Sequence, residues 1–183
     1  MIRLPQVRSA LGAALCLFLL SVTLPLAGAP SARPANLDGL SELERVTAVQ
    51  ECQALSAAYT HFSDNTDAER LAALFAEDGI WVPPSGAIQG REAIRMFVNE
   101  IAAKQKAGNF LQRRVTSDLH VELTDRDHAR GAAYMMVYRF GAKTSTDAST
   151  SLAPVLIADV SDEYVRTAAG WKFKSRTITV VAH

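Results

Sequence analysis

The chain has 183 residues, 49% of them apolar, and 19 Lys plus Arg set against 19 Asp plus Glu. That length suits one domain around one core, and the apolar fraction excludes a disordered chain. A formal net charge of +0 leaves no field to hold a polyanion or an anionic membrane surface, so nucleic acid is not expected as a partner.

In chain order, Arg3 and Arg8 precede an apolar stretch from Ala10 to Leu26, followed by Ala27-Gly28-Ala29. This is the order of a secretory signal. Residues 1–29 read as a signal peptide, or as an uncleaved membrane anchor, because Pro30 is a poor neighbour for cleavage. The protein is therefore expected to be exported, periplasmic or secreted, with no membrane contact beyond this segment. Residues 30–41, rich in Ala, Pro, Ser and Gly, read as a linker, and 42–183 as the folded domain. Cys16 lies in the apolar run, so Cys52 has no disulfide partner in the domain and reads as a buried helix residue, not a nucleophile.

From Ser41 to Phe62, the residues Leu43, Val46, Val49, Leu55, Tyr59 and Phe62 recur at helical steps, which predicts a first helix with these on its inner face. Thr66 and Glu69 have capping-box spacing, and Leu71, Leu74 and Phe75 continue as a second helix. Ile80-Trp81-Val82 is a short strand stopped by Pro83-Pro84. Gly86 and Gly90 turn the chain into a third helix, Arg91 to Ala107, with Ala93, Ile94, Phe97, Val98 and Ile101 on one face. The period then changes. Leu119, Val121 and Leu123 alternate with His120, Glu122 and Thr124. Ala129 to Phe140, Val155 to Arg166 and Trp171 to Val181 follow as strands rich in Val, Ile, Tyr and Thr. Ala168-Ala169-Gly170 marks a hairpin, and Lys143 to Ser151 a polar loop. Helices first and antiparallel strands afterwards give an α+β layout.

Three pieces carry a family resemblance: Leu71-Ala72-Ala73-Leu74-Phe75-Ala76-Glu77-Asp78-Gly79-Ile80-Trp81, then Gly90-Arg91-Glu92-Ala93-Ile94, then Asp162-Glu163-Tyr164-Val165-Arg166 with Gly170-Trp171-Lys172-Phe173. In this order the chain resembles the SnoaL-like domains of the NTF2-like superfamily, and more distantly its scytalone dehydratase-like and hexachlorocyclohexane dehydrochlorinase-like members. The resemblance implies a cone: a strongly bent, mostly antiparallel sheet wrapped around a long N-terminal helix, with two further helices and one pocket. It also implies pairing of two copies through the exposed sheet face, and cofactor-free chemistry on a small apolar molecule, such as elimination, isomerisation or cyclisation by proton transfer.

The aspartate of the dehydratase-like members falls on Asp64, and their histidine base falls on Arg114; a second histidine falls near Ala133. Arginine stays protonated and cannot be a general base. Arg114 is therefore expected to polarise a carbonyl, with Asp64 orienting it or acting as base; otherwise Asp64 caps the second helix and Arg114 meets solvent. His61, three residues before Asp64, is read either as a relocated base or as a surface histidine at a helix end. His120 faces away from the core on a regular strand, and a bulge near Ser117 or Asp118 would change the facing of Arg114 relative to it. Tyr59, Phe62, Trp81, Phe97, Phe110 and Tyr134 divide between core packing and the lining of a pocket for a flat apolar ligand. Four scattered histidines without ligand spacing point to no metal, and no phosphate loop or redox pair points to a cofactor. The module reading, in which the pocket carries a ligand without chemistry, stands beside the enzyme reading.

Overall fold

The computed structural model describes residues 37–141 and 153–182. The expected signal segment, most of the linker and the loop from Lys143 to Ser151 lie outside the described residues. In chain order the elements are α1 (Glu42–Asp64), α2 (Ala68–Ala72), β1 (Phe75–Val82), β2 (Ile88–Gln89), α3 (Arg91–Ala107), β3 (Phe110–Leu123), β4 (His128–Gly141), β5 (Leu156–Thr167) and β6 (Gly170–Ala182). The strands form one curled, unclosed six-stranded sheet in the order β2-β1-β6-β5-β4-β3. Every pairing is antiparallel except β1 with β6. This is the α+β, mostly antiparallel architecture that the sequence predicts.

Helix α1 starts at a capping box in which Ser41 accepts from the Glu44 amide and Glu44 reaches back to the Ser41 amide. It meets the sheet through Ala48, Cys52, Ser56, Tyr59 and Ser63, at steps of four, four, three and four. These side chains are mostly small, so the helix can lie close against β3 and β6. Val49, Leu55 and Phe62 flank this stripe half-buried, whereas Leu43 and Val46, expected on the inner face, are 75% and 44% exposed. The apolar period misplaced the face by favouring size over close approach. Leu37 and Leu40, at the end of the segment read as linker, are buried in the core, and the Arg45 guanidinium donates to the Leu40 carbonyl at 2.6 Å.

The second helix is shorter than its sequence suggests. Thr66 takes a left-handed φ of 51°, and Asp67, not Thr66, caps the helix by accepting from the Arg70 amide at 3.1 Å. Helix α2 ends at Ala72, so Phe75 opens strand β1, which runs up to the prolines as expected. Helix α3 keeps its predicted bounds. It buries Ile94 and Val98 and packs Phe97 and Ile101 against the core, while Ala93 faces solvent. At the β5–β6 hairpin Gly170 supplies a φ of 91° that the two-residue turn after Thr167 requires.

Bulges curl the sheet and decide which side chains face inward. On β3 the pairing steps from Ser117–Tyr134 to His120–Ala132, so one residue is extra, and Asp118 has φ 53°. Inward positions are therefore even before the bulge (Gln112, Arg114, Thr116) and odd after it (Leu119, Val121, Leu123). On β6 the pairing steps from Tyr164–Phe173 to Glu163–Ser175, leaving Lys174 extra. The inward set changes from Trp171 and Phe173 to Arg176 and Ile178.

Candidate functional site

A cavity of about 510 Å³ lies between the inner faces of β3, β4, β5 and β6, helix α3 and the end of β1. Its wall is built mainly from apolar side chains. Tyr59 from α1 meets Trp81 from β1 edge-on at 5.9 Å, and Trp81 meets Phe97 from α3 edge-on at 5.4 Å. Ile101, Met135, Val137, Leu156 and Ile178 complete the apolar lining, and Pro83, Pro84, Ser85 and Val155 also border it. Gln112, Arg114 and Arg139 bring polar groups. The arginines are the charged side chains of the lining.

Arg114 is fixed by the end of α1. β3 is an edge strand, so an amide on its unpaired side needs a partner outside the sheet. Asp64, the last residue of α1, accepts from the Arg114 amide at 3.1 Å with one carboxylate oxygen and from the Arg114 guanidinium at 2.7 Å with the other. Both side chains are only 10% exposed. The pair is charge-assisted and largely desolvated, so losing either partner would leave a costly orphan. The two alternatives in which Asp64 merely caps α2 or Arg114 meets solvent do not occur: the α2 cap is Asp67. Nε and Nη2 of Arg114 make no hydrogen bond among the described residues. Thr60 and Thr116 share a hydrogen bond at 3.3 Å one turn earlier on the same contact.

Tyr59, Trp81, Phe97 and Arg114 thus come together, with Asp64 behind Arg114. The other expected residues stand elsewhere. His61 is exposed on the last turn of α1, its ring against Phe62, and has no hydrogen bond to Asp64, so the relocated dyad does not form. Phe62 is half-buried beneath the Arg70 guanidinium, 4.8 Å from its ring centre. Tyr134 is 58% exposed on the outer sheet face, because its neighbours Met135 and Ala133 take the inward positions. Phe110 is half-buried at the start of β3 with the Arg139 guanidinium 4.7 Å over its ring, so it borders the cavity's arginine without being part of the lining. His120 faces outward past the bulge, while Arg114 before it faces inward.

Sequence reasoning missed Gln112 and Arg139, cross-strand partners on β3 and β4. The available signal was the step of two that places Met135, Val137 and Arg139 on one face of β4. It also missed a buried cluster beneath Tyr59. Arg176, 0% exposed, lies 3.9 Å from the Tyr59 ring centre, donates to Ser56 at 3.2 Å and approaches Asp162 at 3.6 Å. Burial pushes the Tyr59 phenol up, against the pull of Arg176 and Arg114. Burial, with Glu51 and Asp162 nearby, pushes the Cys52 thiol up to about 12, which leaves it protonated and inert at neutral pH. No group of three or more His, Cys, Asp or Glu that could hold a metal ion occurs among the described residues.

A curled sheet over one long helix, with a mostly apolar cavity on the sheet's inner face, defines an NTF2-like cone. The SnoaL-like domain profile matches residues 44–177, and the chain belongs to that family. Among solved structures, an NTF2-like protein with a cystatin-like fold from Novosphingobium aromaticivorans is 22% identical over 76% of this chain and 85% of its own, with a TM-score of 0.63. A hexachlorocyclohexane dehydrochlorinase is 18% identical over 77% of this chain and 90% of its own, at 0.62. A protein of unknown function from Mycobacterium tuberculosis is 24% identical over 74% of this chain and 77% of its own, at 0.61. At these identities the likeness is one of fold. No curated protein matches the chain.

Proposed function

We propose that this chain is an exported, cofactor-free lyase or isomerase that moves a proton on a small apolar molecule bearing a carbonyl. The observation that carries the reading is Arg114: in a mostly apolar wall, its guanidinium is anchored on one side by Asp64 and has Nε and Nη2 free. A carbonyl oxygen accepting from those groups gains enolate character as the neighbouring carbon loses its proton, and a fixed positive charge in a low-dielectric site stabilises that oxygen. In this reading Asp64 positions Arg114 and is the carboxylate that takes the proton from the carbon. The indole N–H of Trp81, another residue of the lining, is buried without a hydrogen-bond partner. The dehydrochlorinase among the structural relatives acts by elimination, as its name says, which fits proton abstraction in this fold.

The test is deuterium wash-in from heavy water, followed by NMR on a panel of apolar ketones. Wild-type protein is expected to exchange the proton next to the carbonyl, and Asp64→Asn to bind the same ketone without exchange. Wild-type binding with no exchange on any ketone refutes the enzyme reading.

A second reading, a non-catalytic ligand-binding or dimerisation module, is favoured by one specific contact set. Both Asp64 oxygens are already taken by Arg114, and Asp64 itself is not part of the lining. Export is checked by locating the mature chain in cell fractions and sequencing its N-terminus. A chain found in the cytoplasm with residues 1–29 intact removes that part of the proposal.

A further inference from the structure

We infer that the molecule received by this cavity is an apolar acid whose carboxylate is held by Arg139 while a second oxygen reaches Arg114. The inference rests on the reading that the cavity binds a ligand. The lining contains two guanidinium groups and no carboxylate among the described residues. Arg114 is neutralised from behind by Asp64, but the Arg139 guanidinium has neither an ion pair nor a hydrogen bond among the described residues.

The geometry gives Arg139 a receiving posture. It lines the cavity and is exposed, so it stands where the cavity meets solvent. Phe110 sits under its guanidinium at 4.7 Å, which occupies the flat face and leaves the N–H edge free. That edge is the fork that matches a carboxylate with two parallel hydrogen bonds. Gln112 is its cross-strand partner on the same wall, and Gln105 Nε2 donates to Gln112 Oε1 at 3.5 Å, which directs the Gln112 side-chain nitrogen away from Gln105.

The spacing sets the ligand's shape. Arg114 lies two residues along β3 from the Gln112–Arg139 pair, which puts the two arginine Cα atoms about 8 Å apart from strand rise and interstrand distance. A molecule satisfying both needs two oxygen functions on one side of an apolar body: an acid at the solvent end and a carbonyl further in. A neutral ketone would fill the inner part only and leave Arg139 to water.

The test uses naphthoylpropionate, a flat γ-keto acid, and its neutral methyl ester, titrated calorimetrically into the purified protein. Wild type is expected to bind the acid about tenfold or more tightly than the ester, as a charge-assisted pair on a partly desolvated site allows. Arg139→Met should abolish that preference by weakening the acid about tenfold more than the ester, and Arg139→Lys should keep part of it. Equal affinity for acid and ester in wild type overturns the inference yet leaves the cavity reading intact. So does an acid preference that survives Arg139→Met and disappears in Arg114→Met, since the carboxylate would then sit at the inner arginine. Binding of neither compound overturns the cavity reading, and the inference falls with it.

Discussion

Arg176 has its guanidinium over the Tyr59 and Phe173 rings, at 3.9 and 4.9 Å, and its approach to Asp162 is an ion pair at 3.6 Å without a hydrogen bond. Asp162 gains one good contact, from the Tyr164 hydroxyl at 2.9 Å, while its other oxygen and two Arg176 nitrogens have no hydrogen-bond partner. Burial is therefore the larger effect and pushes the Asp162 carboxyl up, with Arg176 and then Tyr164 pulling against it. A carboxyl raised in the native state takes its proton at a higher pH than in the unfolded chain, near 4. Its stabilising contribution is then fully present below the unfolded value and is lost as pH rises through the native one, by about 1.4 kcal/mol for each unit between them. Carboxylates held low by partners, such as Asp67 and Asp78, tilt the whole curve the other way, so the site must be isolated by difference. The unfolding free energy of wild type minus that of Asp162→Asn, measured in urea, is expected to fall as pH rises from 4 and then level off. A difference that grows with pH would mean that Arg176 outweighs burial.

Strands β3 and β6 show what an element's sequence hides. The alternation of Leu119, Val121 and Leu123 was readable because apolar side chains face in, but the first half of β3 has Gln112, Arg114 and Thr116 inward and Leu111 and Val115 outward. That inverted pattern reads as irregular, so the strand was expected to begin too late and Gln112 went unseen with it. The same inversion marks the strand as lining a polar site. On β6 the extra residue Lys174 moved Arg176 to a position that strict alternation assigns to solvent, and no local composition announces such a bulge. Asp64 and Arg114 were legible from the resemblance, and the three helices and the later strands from periodicity. The facing of residues beyond a bulge was not. Strand β4 offers a check on close packing between elements: a Cβ on Gly131 would lie 2.9 Å from the Tyr164 ring and 3.0 Å from its hydroxyl oxygen. Tyr164 is 1% exposed and cannot swing aside. Gly131→Ala is expected to cost about 1–3 kcal/mol by overpacking, read as a lower urea midpoint, and to break the Tyr164–Asp162 hydrogen bond. An unchanged midpoint would mean that the ring shifts freely.

At the scale of the molecule, the question is what the sheet leaves open. One edge, β2, is two residues long, and the other, β3, has its Arg114 amide taken by Asp64, so neither offers a long free ladder for another strand. The outer face is different. Val115, Tyr134, Ile157 and Val181 are 46%, 58%, 37% and 57% exposed, and the strand register sets Val115 and Ile157 on either side of Met136, with Tyr134 two residues away. This is a contiguous apolar patch on a sheet whose opposite side already encloses the core, the kind of surface that association would cover. We propose that a second copy of the chain packs on it face to face, since one patch can meet its own image about a two-fold axis. Light scattering behind a sizing column is expected to give twice the chain mass for wild type. Tyr134→Arg should give the single mass at the same concentration: it puts a charge on the patch, two residues from Met136, that the monomer can hydrate and a paired face cannot. The helical and strand content of the variant, read by circular dichroism, should not change. A wild-type protein that runs at the single mass at every concentration would remove the assignment, and a Tyr134→Arg variant that stays paired would move the interface to another face.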